Sequence, residues 1–390
     1  MSEPNGIFIK GSGVISTSGF STEELFLNCL KAKSGIVSGV GFVDGDHLAD
    51  LTHRFQKKLE SGSSANSKIL KMSLNAISQA LETAGMDSFD PACDGLIVAT
   101  TSGLIENWED SLINSIADQS MKANLDDEPL GMYLFALREI LGHTGPSLLV
   151  TSACAAGGQA ISIAGDWIRT GKVKNCLVVG AEVLCQLILN GFRSLKLISE
   201  DLCKPFDQNR SGINLAEGAA ALLLSSNKVG ATAQIMAADF FLDGYHMTSP
   251  EPNGEGLEKS IRANLKYSKV SASEVHYAHL HGTASPANDI SESNALKSIF
   301  GEESLVFVSS TKAIHGHTLA ASGILETSLA AYCFVNGHFP QSANTSVVDS
   351  KITQNVVLND PRPLNGDYIL KSTLGFGGMN SSVLLGRVRV

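Results

Sequence analysis

Aromatic residues are scarce: they make up 6% of the 390-residue chain, too few for the stacking platform that a single-strand nucleic-acid binder needs. Basic residues are also outnumbered. Lys and Arg total 29 against 39 Asp and Glu, a formal charge of −10, whereas phosphate attraction requires the opposite surplus. Nucleic acid and anionic membrane are therefore not expected as partners, and an acidic protein would have to dock on a local basic patch. The chain has no CxxC pair. Its cysteines, at 29, 93, 154, 176, 185, 203 and 333, are odd in number and irregularly spaced, which argues against a disulfide framework or a cysteine zinc site and for a reducing compartment. No charged n-region leads into a long apolar stretch, and no apolar run approaches the roughly 18 residues that span a bilayer, so a cytoplasmic protein without a membrane span is expected. Prolines number only 11 against 37 glycines, and no Gly-X-Y period makes this collagen. What the chain does have is 43% apolar and 17% charged residues, enough for a sizeable core, and glycine in the excess that tight active-site loops of α/β enzymes use.

Strands are read at Ile7–Ile15, Gly95–Thr100, Leu148–Thr151 and Cys176–Val179. Apolar residues recur at helical spacing from Ser67 to Ala84, with Gly85 as the stop. Residues 44–65 are polar and charged and read as a surface excursion. The second half repeats the plan: Ala155-Ala156-Gly157-Gly158 is echoed by Ala320-Ala321-Ser322-Gly323, and each leads into a helix closed by glycine. A duplicated α/β unit, with halves meeting near residues 226–235, accounts for the echo.

Four places carry chemistry. Cys154 lies at a strand-to-helix junction among small residues, where free N–H groups stabilise a thiolate or an oxyanion; a small buried core cysteine is the other reading. In His276–Asp289, His279 and His281 fall two apart on a strand. That pattern suits metal ligation together with His317 and Asp289, or a single catalytic His281 with Thr283 and Ser285 lining a channel, or plain surface histidines. Lys312, His315 and His317 open a helix around Gly316, and Gly375–Asn380 is a glycine-rich turn holding one bulky ring, Phe376. Neither glycine cluster has the strand-to-helix context of a dinucleotide site.

In this order the four resemble the β-ketoacyl synthases, condensing enzymes of the thiolase superfamily. Thr151–Gly157 is similar to the family's nucleophile elbow. Lys204-Pro205-Phe206-Asp207 with Arg210, Glu217-Gly218-Ala219, Tyr245–Pro250, His281-Gly282-Thr283, Lys312 with His317, and Gly375–Asn380 continue the likeness along the whole chain. The resemblance implies a thiolase-like fold, with two similar halves (1–228 with the cysteine, 229–390 with both histidines) packed into a five-layered α-β-α-β-α core.

The resemblance also implies roles. Cys154 takes an acyl chain from a carrier-protein thioester, with an oxyanion hole made by the N–H groups of Cys154 and Phe376. His281 and His317 stabilise the enolate formed when malonyl-carrier thioester loses its carboxylate. Lys312 orients the site through a carboxylate, for which Glu292 is the expected partner. Thr283 and Ser285 hold the phosphopantetheine arm, and Phe376 gates the two stages. Arg54, Lys57, Lys58 and Lys204 are expected to dock the acyl carrier protein. No metal or organic cofactor is implied, because the pantetheine arrives with the substrate. A dimer is implied, either a homodimer or a heterodimer with a non-catalytic chain-length partner. Ser285, Met379 and Lys204 depart from the usual threonine, threonine and arginine. These departures leave fatty-acid elongation and specialised polyene or polyketide synthesis both open.

Overall fold

A computed structural model of the chain describes residues 6–45, 48, 67–85, 89–118, 122, 129–302 and 305–389. Its first stretch runs β1 (Ile7–Ser16), α1 (Thr22–Leu30), α2 (Lys68–Ala84), β2 (Gly95–Ala99), α3 (Ile105–Ala117), α4 (Pro129–Leu141), β3 (Ser147–Val150), α5 (Ala156–Arg169), β4 (Asn175–Glu182), α6 (Gln186–Ser194) and β5 (Gly218–Ser225). The second runs β6 (Ala233–Leu242), α7 (Glu255–Ser268), β7 (Val275–His279), α8 (Pro286–Phe300), β8 (Phe307–Ser309), α9 (Lys312–His315), α10 (Ser322–Asn336), β9 (Asn355–Val356), β10 (Tyr368–Gly375) and β11 (Met379–Gly386). Most of the polar excursion, including Arg54, Lys57 and Lys58, lies outside the described residues.

These eleven strands form one sheet in the order β9-β8-β7-β10-β11-β6-β1-β5-β4-β2-β3. Outward from the antiparallel β1·β6 contact, both arms follow one plan. Two antiparallel pairings (β1·β5·β4 and β6·β11·β10) are followed by parallel ones (β4·β2·β3 and β10·β7·β8), with β9 added at one end. The sequence echo between 155–158 and 320–323 is one mark of this shared plan.

Alternation along the strands sorts side chains into separate apolar layers. On β4, Cys176 and Val178 face a central core, while Leu177, Val179 and Ala181 face an outer one. Helices α5 and α10 lie between the two arms, α2 covers the outer face of the first arm, and α7 and α8 cover that of the second. The result is an α-β-α-β-α stack. Each aliphatic side chain fully buried there contributes about 1.5–3 kcal/mol. The stretch Leu319–Asn336 corrects one sequence expectation: by length and composition it is apolar enough to cross a membrane, with Glu326 as its one charged residue. Its apolar character serves burial inside the protein instead, as the central α10.

The crossing of α5 and α10 needs glycine. A Cβ on Gly157 would lie 2.7 Å from the Ala320 carbonyl oxygen, and one on Gly323 would lie 2.6 Å from the Gly158 nitrogen. Two bare backbones therefore touch where the helices begin, and this contact sets Cys154 beside His317.

Candidate active site

Each candidate sits at the end of an element. Cys154 follows β3 and precedes α5, and Ala153 before it adopts φ +48°, a left-handed value that a non-glycine residue holds only when its surroundings enforce it. His281 follows β7, His317 lies between α9 and α10, and Phe376 occupies the turn between β10 and β11. The structure brings all four to the wall of one cavity of about 280 Å³, with Thr283, Ser285, Thr248 and Pro250 along it. Cys154 Sγ is 3.1 Å from His317 Nε2, and the rings of His281 and His317 stand edge to face with centroids 5.0 Å apart. The backbone N–H groups of Cys154 and Phe376 both bear on the sulfur. The Phe376 ring stacks on Phe192 at 5.5 Å, closing one side of the cavity.

The sulfur is less accessible than its small neighbours imply: Cys154 is 5% exposed. Burial pushes its thiol up to about 12, against the pull of Lys312 and the two amides, with Glu182 adding to the rise. The resting group is thus a thiol, and helix-end N–H groups alone do not ionise it. Both histidines are held well below the usual imidazole range. For His281 the causes are burial, then Lys312 and His317; for His317 they are burial, then Lys312, with Glu326 opposing. Near neutral pH each ring is uncharged and carries one N–H.

The structure corrects the carboxylate partner of Lys312. That partner is Glu326 on α10, which also takes Lys371 of β10, its Oε2 lying 2.9 Å from the Lys371 nitrogen. Glu292 does something else. Its two oxygens accept the backbone N–H groups of His281 at 2.7 Å and Gly282 at 2.9 Å, and the Ser372 hydroxyl donates to it. It therefore holds the loop that presents His281. The resemblance implies Glu292 as the partner of Lys312, but a position along the chain does not show which helix packs behind the lysine, and here that helix brings Glu326.

The four-ligand metal arrangement is not assembled. His279 turns away from the cavity, its Nε2 3.0 Å from the Thr311 hydroxyl and its Nδ1 3.3 Å from the Glu326 carbonyl oxygen. Asp289 is occupied by the Phe206 and Ala284 amides and by Arg210. Among the described residues no group of three His, Cys, Asp or Glu is placed to hold a metal. Thr283 and Ser285 do reach the cavity, and Ser285 also caps α8 by accepting the Asn288 N–H. Lys204 is half-buried at the start of the loop that Arg210 ties to Asp289 and Asp349. Three groups escaped the sequence reading: Glu326, Lys371 and Ser322, whose hydroxyl is 3.0 Å from His317 Nδ1. A faint signal existed for the first two, each being the lone charge in an apolar stretch.

The chain is 27% identical to 3-oxoacyl-[acyl-carrier-protein] synthase 2 of Coxiella burnetii over 99% of both chains, and 26% identical to the protein of the same name from Staphylococcus aureus over 98% of both. Among solved structures it is similar to a chain of the ishigamide ketosynthase/chain length factor (TM-score 0.90, 24% identity, 99% and 100% covered). It is also similar to a chain of the ketosynthase ApeO in complex with its chain length factor ApeC from Xenorhabdus doucetiae (TM-score 0.84, 26% identity, 100% of both chains covered). The models for the N-terminal and C-terminal domains of beta-ketoacyl synthase match residues 31–229 and 232–346, and with the thiol, the histidine pair and the amide pair on one cavity wall, the chain belongs to the β-ketoacyl synthase family.

Proposed function

We infer that this enzyme carries out decarboxylative condensation, joining an acyl group held on Cys154 to a malonyl thioester on acyl carrier protein to give a 3-oxoacyl thioester. The observation that carries this reading is the convergence of Cys154 Sγ, the His281–His317 pair and the Cys154 and Phe376 amides on one cavity. In the first stage the sulfur attacks the incoming thioester, the two amides hold the tetrahedral oxyanion, and the thiol proton leaves on the carrier's sulfur. In the second, malonyl thioester loses CO2 while the N–H of each neutral imidazole stabilises the enolate oxygen. The enolate carbon then attacks acyl-Cys154, and the thiolate expelled takes up one proton. Burial, and after it Lys312, raises the cost of an imidazolium and so keeps both rings as neutral donors.

Thr283 and Ser285, on the cavity wall, suit the amides of a phosphopantetheine arm. Lys204, with Arg54, Lys57 and Lys58, is proposed to meet the carrier protein. The reading requires no cofactor beyond the arm that the substrate brings. A second reading concerns assembly. Among the described residues strand β3 pairs only with β2, and none of the residues of α3 is buried, Leu112, Ile113 and Ile116 being 46%, 54% and 70% exposed. This apolar edge suits a second chain, as in the ketosynthase–chain length factor complexes among its structural neighbours. Intact-mass measurement after incubation with acyl-carrier proteins of varied chain length should show one acyl group on the wild type and none on Cys154→Ala. Absence of any acyl adduct on the wild type would overturn the reading.

A further inference from the structure

His317 is held from both sides. Its Nε2 lies 3.1 Å from Cys154 Sγ, and its Nδ1 lies 3.0 Å from the hydroxyl of Ser322, the first residue of α10. The Ser322 hydroxyl is in turn 3.1 Å from that of Thr318. Ser322 and Thr318 are fully buried, so each hydroxyl proton needs an acceptor within the protein.

Only one direction of donation provides that. If Nδ1 carried the imidazole proton, Ser322 would accept it and pass its own proton to Thr318, and the Thr318 proton would have no acceptor among the described residues. In the opposite direction Thr318 donates to Ser322, Ser322 donates to Nδ1, and the imidazole proton sits on Nε2, facing Cys154. No hydroxyl proton is stranded, and the Cys154 S–H, a weak donor, is left to face the cavity that the residue lines. We propose that Ser322 is a positioning residue that fixes His317 in the Nε2–H tautomer, so that this ring always presents a donor to the sulfur and to the enolate oxygen. This rests on the condensing reading above for its consequence in catalysis, though not for the tautomer itself. The two histidines differ in this respect: His281 Nδ1 is buried with no partner among the described residues, and its loop is held through backbone N–H groups instead. The proton on one ring nitrogen is set by the hydrogen bond at the other.

The test is 15N NMR of histidine-labelled full-length protein, with His317 assigned from the signals lost in His317→Asn. Wild type should show Nδ1 as the unprotonated, hydrogen-bonded nitrogen and Nε2 as the protonated one. Ser322→Ala, which only removes an oxygen and should fold, should give averaged shifts of two exchanging tautomers. Thr318→Val, close to the native shape, should keep the wild-type pattern, because Ser322 can still donate. A protonated Nδ1 in the wild type, or an unchanged pattern in Ser322→Ala, would overturn the proposal. In Ser322→Ala the kcat of malonyl-thioester decarboxylation should fall on the order of tenfold with KM unchanged. Intact-mass loading of Cys154 in the wild type tests the condensing reading separately, so a failure there and a failure of the tautomer assignment are distinguishable.

Discussion

Lys312 and Lys371, on α9 and β10, reach the same carboxylate, one on each oxygen of Glu326. All three side chains are buried. Burial alone would raise the Glu326 carboxyl, yet Lys312 and then Lys371 hold it well below the ordinary carboxylate range. Burial also lowers Lys371 below the usual lysine value, against the pull of Glu326. Glu326→Gln strands two buried cations and should cost about 3–5 kcal/mol in urea unfolding at pH 7. Lys371→Met leaves the Lys312–Glu326 pair intact and removes one desolvated ammonium, so its cost should be about 1 kcal/mol or less. Because the Glu326 value is depressed, its stabilisation is present above the unfolded value, about 4, and is lost as pH falls below it. The gap between wild type and Glu326→Gln should therefore narrow on acidification. Equal losses for the two variants at pH 7 would show that Glu326 does not bridge the lysines.

Glu182, at the end of β4, has the opposite pH sign. It accepts the hydroxyls of Thr101 and Ser102, each at 2.7 Å, and among the described residues it has no cation partner. Burial raises its carboxyl to about 7 despite these donors. The folded state thus prefers the proton, and its contribution is fully present below the unfolded value near about 4 and lost as pH rises through about 7. Glu182→Gln keeps an acceptor for the Thr101 groups and has no charge to desolvate. It should stabilise the protein by roughly 1–3 kcal/mol at pH 8 and by nearly nothing at pH 4.5, as read by urea unfolding at the two pH values. A gain of the same size at both would exclude titration of Glu182 as its cause.

Gly378 fixes the loop that supplies the Phe376 N–H. Its φ is +75°, and a Cβ there would lie 2.2 Å from Asp243 Oδ1. Asp243 in turn accepts the Asn380 side-chain amide at 2.8 Å and donates its own N–H to the Gly378 carbonyl oxygen at 2.9 Å. Gly377, beside it at φ +80°, has open space around the same position. Gly378→Ala should displace the amide of Phe376 and slow acyl loading of Cys154 by roughly 10²–10³-fold, the effect of losing one oxyanion donor. Gly377→Ala meets backbone strain but no clash and should load much faster. The rates come from time-resolved intact-mass measurement, and wild-type loading by Gly378→Ala would remove the Phe376 amide from the oxyanion hole.

The elements nearest the chemistry were legible because local rules decide them. Cys154 follows a short apolar strand and precedes small residues that start a helix, and Gly375–Asn380 marks a turn by composition alone. Strand bounds are less legible: β11 starts at Met379, yet Met379, Asn380 and Ser381 are polar or flexible and their pairing comes from β6. Helix α3 has no buried residue to set its period, so nothing local announced it. Glu326 and Lys371 meet only because α10 packs across β10, a tertiary fact. Ser322 looked like one small residue in a repeated motif, and its hydroxyl acquires meaning only beside His317.

In the proposed mechanism the thiol and the histidines serve separate steps, so removing the thiol should uncouple them. Cys154→Ala leaves His281 and His317 in place, with Ser322 still on Nδ1 of the latter. No acyl chain can then be held, so formation of 3-oxoacyl product should fall to the background of the assay. Malonyl-carrier thioester should still lose CO2, because the enolate oxygen is stabilised by the two imidazoles and the sulfur takes no part in that step. Both histidine values lie well below the ordinary one, so their N–H donors are unchanged across neutrality. Release of CO2 by Cys154→Ala should accordingly be flat between about pH 6 and 8, near and above the usual histidine range, and weaken only in more acidic solution. Labelled CO2 release and product analysis by mass measure the two halves in one reaction. Carbon–carbon bond formation by Cys154→Ala would remove the nucleophile assignment, and absence of CO2 release in the folded variant would show that the histidine pair does not drive the malonyl step alone.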